Sequence, residues 1–457
     1  MNTESAKSVS TKQRRIAELA EYYPQEGLNT LGHYMDMEWM KEAYGKVRKD
    51  SAPGVDGQSV AEYGRELEKN LGNLIDRVKS GSPSAGSGPS GYVAPPVRRV
   101  HIPKGDGKET RPIGMPTVED KILQRAVVML LEPIYEREFS DFSYGFRPGR
   151  SAHQALEAIW QGIRKTQTGW IVDVDMRAFF DTLDHRKLME ILPKRVKDGV
   201  ILKLVNKWLQ AGVMEAGTMS YPQEGTPQGG VISPILSNIY LHEVLDEWFE
   251  AAVKPRLKGR GFMVRYADDF VMGFECREDA QRVMKALPGR FGRYGLKLHE
   301  GKTRLVRFER PSAGQGEGNG KRKPDTFDFL GLTHYWGRSR KGYWTVQRKT
   351  ARKRLSRALK AIDKWCRKNR HRPLMEQCRE LGKKIKGHYA YYGITGNFGR
   401  LAEFYEETKK RWQKWLNRRS RKEDGMSWGR FKTLLAKVIA LPTPRIVHSV
   451  YAAKPYF

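Results

Sequence analysis

The stretch Phe262–Phe274, FMVRYADDFVMGF, sets two apolar runs on either side of adjacent carboxylates, Asp268 and Asp269. Alternate residues of a strand face opposite sides, so FMVRY and FVMGF can each bury one face. The pattern predicts a hairpin with ADD as its turn and both carboxylates at the tip. Two ionised carboxylates side by side repel, and each raises the other's pKa unless a cation sits beside them, which makes a divalent ion their natural partner. An isolated Asp-Asp pair would be an ordinary surface turn.

The pair is not isolated. Gly169–His185, GWIVDVDMRAFFDTLDH, predicts a second strand with Trp170, Val172 and Val174 on one face and Asp173 and Asp175 on the other. Magnesium favours few carboxylates plus water and substrate phosphates, and in-line displacement at phosphorus uses carboxylates that bridge two ions. Asp175 with Asp268 and Asp269 forms such a set. Asp173 is assigned instead to a structural pair with an arginine.

The whole chain is suited to a polyanion. Its 457 residues carry 83 Lys and Arg against 52 Asp and Glu, a formal charge of +31. Such an excess is typical of proteins that follow phosphate backbones. Cys276, Cys366 and Cys378 lack the spacing of a zinc knuckle or a disulfide framework, which fits a reducing compartment. No apolar run approaches the length of a bilayer span, and the first residues lack a secretory core, so a soluble intracellular, cytoplasmic protein without membrane attachment is expected.

Composition also marks boundaries. Residues 80–91, SGSPSAGSGPSG, predict a flexible linker, and 312–325, SAGQGEGNGKRKPD, a loop between two late strands. Before the linker, Leu67, Leu71, Leu74, Ile75 and Val78 fall at helical spacing. After residue 349 come three amphipathic stripes: Ala351, Leu355, Leu359, Ile362 and Cys366; Leu374, Cys378, Leu381 and Ile385; and Phe398, Leu401, Tyr405, Thr408, Trp412 and Trp415. They predict a small bundle, basic outside, with Arg352, Lys353, Arg357, Lys360 and Lys364 on exposed faces.

These segments carry a family resemblance. DMRAFFD resembles motif A of reverse transcriptases, and YADD their motif C. YPQEGTPQGGVISPILSNIYLHEVL (221–245) is similar to motif B, YGLKLHEGKTRLVRF (294–308) to motif D and FDFLGLTHY (327–335) to motif E. Upstream, residues 97–127 and 144–156 resemble the fingers blocks of group II intron reverse transcriptases, and the basic helices resemble the maturase, or X, domain of that family. The resemblance implies an α+β right-hand polymerase whose fingers and palm (97–335) hold an RRM-like antiparallel sheet. It is preceded by a helical extension (1–96) and followed by an all-α thumb/maturase domain (336–422). The tail (423–457) is a candidate DNA-binding element.

The resemblance also implies roles. Asp175, Asp268 and Asp269, with the Met176 backbone, would hold two Mg2+ ions. Phe180 would exclude a ribose 2′-hydroxyl, with a place in the core beside Phe179 as its rival reading. Lys104 and Arg111 would clamp the triphosphate, with Lys108 as an alternative to Lys104. Gln228 would lie near the nucleotide sugar, and Lys302 would protonate or neutralise the leaving pyrophosphate, with a merely solvated lysine as the alternative. The Lys and Arg rows after 349 would track phosphates, and Tyr391 is among the aromatics that could stack on unpaired bases.

The implied function is RNA-directed DNA polymerisation for a mobile group II intron, together with intron RNA binding in splicing. The implied partners are intron RNA, the RNA template/cDNA duplex, target DNA and deoxynucleoside triphosphates. No cysteine pairs or His-Asn-His cluster of a zinc-dependent HNH nuclease are found, so a nuclease-free member is expected. Two rival readings are a splicing maturase that does not polymerise and a domesticated or defence-associated reverse transcriptase.

Overall fold

The computed structural model describes residues 3–80, 91–104, 109–215, 218–220, 229–311, 325–339, 341–419, 425–437 and 440–449. Nearly all of the 80–91 linker and the 312–325 loop lie outside these residues.

Sheet formation follows the apolar alternation of the chain. Strands β1 (Val97–Lys104) and β2 (Glu109–Met115) pair antiparallel, with Ile102 opposite Arg111. Strand β3 (Trp170–Val174) belongs to a second sheet, while β4 (Val213–Glu215) and β5 (Thr218–Ser220) extend the first in the order β2–β1–β4–β5. The second sheet has the order β6–β7–β3–β8, built with β6 (Gly261–Tyr266), β7 (Asp269–Phe274) and β8 (Arg304–Arg307). A third, β11–β10–β9, contains β9 (Phe327–Phe329), β10 (Leu332–Arg338) and β11 (Trp344–Thr350). With its many helices the chain is a mixed α+β protein, as its sequence predicts.

Two compact units divide the chain. One comprises Met1–Ala155, Val172–Met272 and Glu278–Arg304; the other comprises Leu156–Ile171, Gly273–Arg277 and Leu305–Phe457.

The first unit is organised on the helix Val118–Tyr135, capped where the Thr117 hydroxyl accepts from the Asp120 amide at 3.2 Å. It is apolar on nearly every face, so neighbours must cover it all round. Part of that cover comes from the N-terminal segment: Trp39 is fully buried and its indole donates to the Ala126 carbonyl at 3.0 Å. Its own helix, Met37–Lys46, starts where Asp36 accepts from the Trp39 amide. The amphipathic helix Leu67–Lys79 buries Leu71, Leu74 and Val78, three of the residues whose spacing predicts it.

In the second unit the helices Arg352–Asn369, Leu374–Tyr392 and Phe398–Leu416 share one core. The first two bury the predicted stripes, with Leu374 only partly covered. The third differs: Phe398 is 55% exposed, and Phe404 rather than Tyr405 enters the core. At the helix start Asn397 turns inward, its amide bonding the Thr350 hydroxyl and its carbonyl oxygen the Thr350 amide, both at 2.8 Å, while Tyr405 stays partly buried against the core. Leu401, Phe404, Thr408, Trp412 and Trp415 then form the buried face. The tail joins this core, since the helix Trp428–Lys437 packs Phe431 edge-on against Trp412 and the Val447 and His448 amides bond the Gly393 carbonyl.

Candidate active site

The hairpin turn is tighter than its sequence predicts. It consists of Ala267 and Asp268 alone, and Asp269 is already the first residue of β7, with its side chain exposed. The two-residue connection has Ala267 in the left-handed region at φ 57°, a geometry whose twist matches paired strands better than a three-residue turn. Asp268 is mostly buried. Burial lifts its carboxyl above the usual carboxylate range and the charge of Asp175 adds to the lift, against its own backbone amide and the guanidinium groups of Arg111 and Arg265. Asp175 and Asp268, more than ninety residues apart in sequence, therefore share one electrostatic site.

Asp175 follows the end of β3, where the chain pairs with residues 297–299. The Arg177 amide donates to the Lys297 carbonyl at 2.9 Å, and the His299 amide to the Asp175 carbonyl at 2.8 Å. A bridge between Met176 and Leu298 completes this short ladder and buries Met176. The following turn, closed by the Lys302 amide on the His299 carbonyl, returns the Lys302 ammonium to 3.1 Å from Asp175 Oδ2. Asp173 accepts from Arg304 Nε at 3.0 Å, the arginine pair its position predicts.

Sequence reasoning missed what supports the turn. Arg265, the first residue of RYADDF, is fully buried and forks onto Asp246, which is also fully buried. Its Nη1 donates to Asn238 Oδ1 at 2.9 Å and to the Ala267 carbonyl at 3.1 Å. Burial alone would push Asp246 up, but Arg265 and His242 outweigh it and hold the carboxyl below its ordinary value. Asn238 in turn donates to the Gly145 carbonyl at 2.7 Å. Asp246 sits in the π-helical turn His242–Asp246 that continues Ser233–Leu241, and such turns recur at functional sites. The available signal was an arginine inside an otherwise apolar strand, which demands a buried anion.

Other predicted residues are distributed around this centre. Arg111 is exposed on β2, and its charge acts on Asp268. Phe179 takes the core position, leaving Phe180 half-exposed with its ring edge-on at 5.3 Å. Gly229, at φ 112°, comes so close to β2 that a Cβ would lie 2.5 Å from the Gly114 carbonyl oxygen, and Gln124 accepts the Val231 amide at 2.8 Å. The side chain of Lys104, and Lys108 and Gln228 entirely, lie outside the described residues.

The chain matches the family model described as reverse transcriptase (RNA-dependent DNA polymerase) over residues 102–334, which takes in both aspartates, Arg111 and Lys302. The chain belongs to the reverse transcriptase family. It is 33% identical to Protein YkfC of Escherichia coli (strain K12) over 338 residues, covering 65% of this chain and 84% of that protein. It is 40% identical over 177 residues to the group II intron-encoded protein LtrA of Lactococcus lactis subsp. cremoris, 39% of this chain but only 28% of LtrA. Nuclear intron maturase 4 of Arabidopsis thaliana is 27% identical over 146 residues, 32% of this chain and 18% of that protein. This reverse transcriptase is thus of the group II intron type, an RNA-directed DNA polymerase and nucleotidyltransferase.

Reverse transcriptases use divalent metal ions. Among the described residues no three His, Cys, Asp or Glu side chains gather as a ready cage. The donor set still suits magnesium, which is commonly held by one or two carboxylates with water and phosphate oxygens completing its shell. Asp175 and Asp268 offer two carboxylates of that kind, Asp268 on the hairpin turn and Asp175 just past the end of β3.

In the helical unit, Arg352, Lys353, Lys360 and Lys364 are exposed and Arg357 half-exposed. Lys360, Lys364, Arg367, Lys410, Arg411 and Lys414 line a groove between two helices with only Asp363 and Glu407 as anions. Tyr391 is half-buried and donates to the Leu330 carbonyl at 2.9 Å, and Tyr389 is in the core. Among the described residues no helix is long and apolar enough to cross a membrane.

Proposed function

We propose that the reverse transcriptase extends a DNA primer on an RNA template at the Asp175–Asp268 centre; the reading is carried by the family match that takes in both carboxylates, with Lys302 paired to Asp175 and the Asp268 turn braced by Arg265. They would hold two Mg2+ ions, with Asp269 and the Met176 carbonyl beside them, and these ions supply the charge that lowers the pKa of the primer 3′-hydroxyl and stabilises the departing pyrophosphate. Arg111, with Lys104 or Lys108, grips the triphosphate through charge-assisted hydrogen bonds. Phe180, with Phe179 occupying the core, turns its ring to the sugar and selects deoxynucleotides, and Gln228 lies under the same sugar. Lys302, paired with Asp175, would protonate or neutralise the leaving pyrophosphate.

In this reading residues 97–335 are the fingers and palm of a right-hand polymerase, preceded by a helical extension (1–96). Residues 336–422 are the thumb and maturase domain, and 423–457 are a tail that touches DNA. The basic groove follows RNA phosphates, first those of intron RNA during splicing and then those of the template/cDNA duplex, before target DNA is engaged.

Primer extension on an RNA template with Mg2+ tests the assignment. The native chain makes cDNA from deoxynucleotides only, Asp268→Asn makes none while binding RNA normally, and Phe180→Ala accepts ribonucleotides. Synthesis by Asp268→Asn would remove this turn from the chemistry.

A further inference from the structure

The segment 143–147 passes beside the catalytic turn and is fixed at both ends. Ser143 bridges Arg265, and the Tyr144 amide donates to the Arg265 carbonyl at 2.9 Å. The Gly145 backbone packs on Ala267. On the other side Arg147, 6% exposed, is bound to Glu136 (3.0 Å from Nη2) and to the Ser140 and Ser143 carbonyls at 2.8 and 2.9 Å. Between these anchors stands Phe146, at φ 57° and 57% exposed. Among the described residues no ring packs on it.

Folding gains little from this residue as placed, since more than half of its surface stays in water. A left-handed backbone is unfavourable for a residue with a Cβ, and an aromatic ring left in water forfeits its burial. Glycine would suit the backbone better. What the arrangement does provide is a flat apolar ring held out rigidly, one residue from the glycine that touches the Asp268 turn. Ligands of a strongly basic polymerase that offer a matching flat face are nucleobases, and base–aromatic stacking tolerates any sequence.

We infer that Phe146 is a stacking platform for a nucleobase of the strand bound next to Asp268. The inference rests on the polymerase reading and adds a contact for the nucleic acid itself. The base belongs either to the template or to the primer terminus, and the experiment separates them.

Phe146→Gly and Phe146→Trp are compared with the native full-length chain by urea unfolding, by anisotropy of a labelled primer–template in Mg2+, and by primer extension. The Gly variant unfolds at the same or a higher urea concentration, since the backbone strain is gone, yet its Kd for primer–template rises about tenfold, within the range that loss of one stacked base allows. The Trp variant stays within about twofold of native. Abasic residues placed singly at template positions or at the primer 3′ terminus locate the base: the one that stacks costs the native chain about tenfold and costs Phe146→Gly nothing. An unchanged Kd in Phe146→Gly, or abasic penalties equal in both proteins at every position, overturns the platform. A native chain that gives no extension while keeping the Phe146-dependent Kd overturns the polymerase reading and leaves the platform standing.

Discussion

Gly145 and Ala267 pack backbone against backbone, so closely that a Cβ on Gly145 would sit 2.2 Å from the Ala267 nitrogen. The contact joins a segment bound to Asn238 with the turn that carries Asp268, and Arg265 links both to the buried Asp246. The position of the Asp268 carboxylate is therefore set by backbone fit and one buried ion pair, not by the hairpin alone.

Gly145→Ala should accordingly move the turn. A shift of an ångström in a catalytic group costs on the order of a hundredfold in rate, so cDNA synthesis should fall by about that factor while RNA affinity, which lies in distributed phosphate contacts, stays within about twofold. Single-turnover primer extension and filter binding on the same preparation check both arms. Wild-type kcat in Gly145→Ala would show that the turn is positioned by something else.

Removing one partner of a buried ion pair leaves the other charged and unsolvated. Arg265→Met should destabilise the first unit by about 3–5 kcal/mol, whereas Arg265→Met combined with Asp246→Leu should recover much of the loss, because the orphan charge goes with it. Urea unfolding of both variants measures this, and primer extension by a refolded double variant should still be impaired, since the Ala267 carbonyl loses its donor.

His388 gives the helical unit an acid limit. Its ring stacks on Phe404 at 3.8 Å, and burial pulls its pKa down to about 4. In the unfolded chain the imidazole protonates near 6.5, so below that pH the unfolded state binds the extra proton and stability falls as pH drops from about 6.5 to about 4. His334, drawn down to about 3 by burial and by Arg348, acts in the same direction. His388→Phe should remove on the order of 2 kcal/mol of that pH dependence, visible as a flatter melting temperature between pH 6.5 and 4.5. An unchanged pH profile would mean that the imidazole is hydrated in the folded state.

The groove lined by Lys360, Lys364, Arg367, Lys410, Arg411 and Lys414 should hold phosphates. Replacing Lys360, Lys364 and Arg367 with Gln should weaken RNA binding uniformly across sequences and reduce the slope of log K against log salt by about 2–3. A salt slope equal to that of the native chain would place the phosphate path on another face. Arg411 is unsuitable for this test, since it already pairs with Glu407.

Much of the centre was legible in one dimension because its signals are local. Carboxylates at the end of apolar strands stand out against the period of two, which made Asp175 and Asp268 candidates, and an arginine partner was foreseeable for Asp173. Helical spacing likewise gave Leu355, Leu359 and Ile362 their buried face. Local rules failed where a neighbour from a distant segment decided the outcome. Asn397 turned inward onto Thr350 while Phe398 stayed exposed, and Arg265, inside an apolar strand, found its anion in Asp246 on another element. The sequence by itself thus determined the mixed α+β class, the polyanion-binding charge and the two acidic segments, since composition and strand period are properties of neighbouring residues. Only the tertiary structure decided that Arg265 is buried on Asp246, that Gly145 lies against Ala267 and that Phe146 stands exposed, because each depends on close packing between elements that are not neighbours in the chain or on anchors that such packing creates.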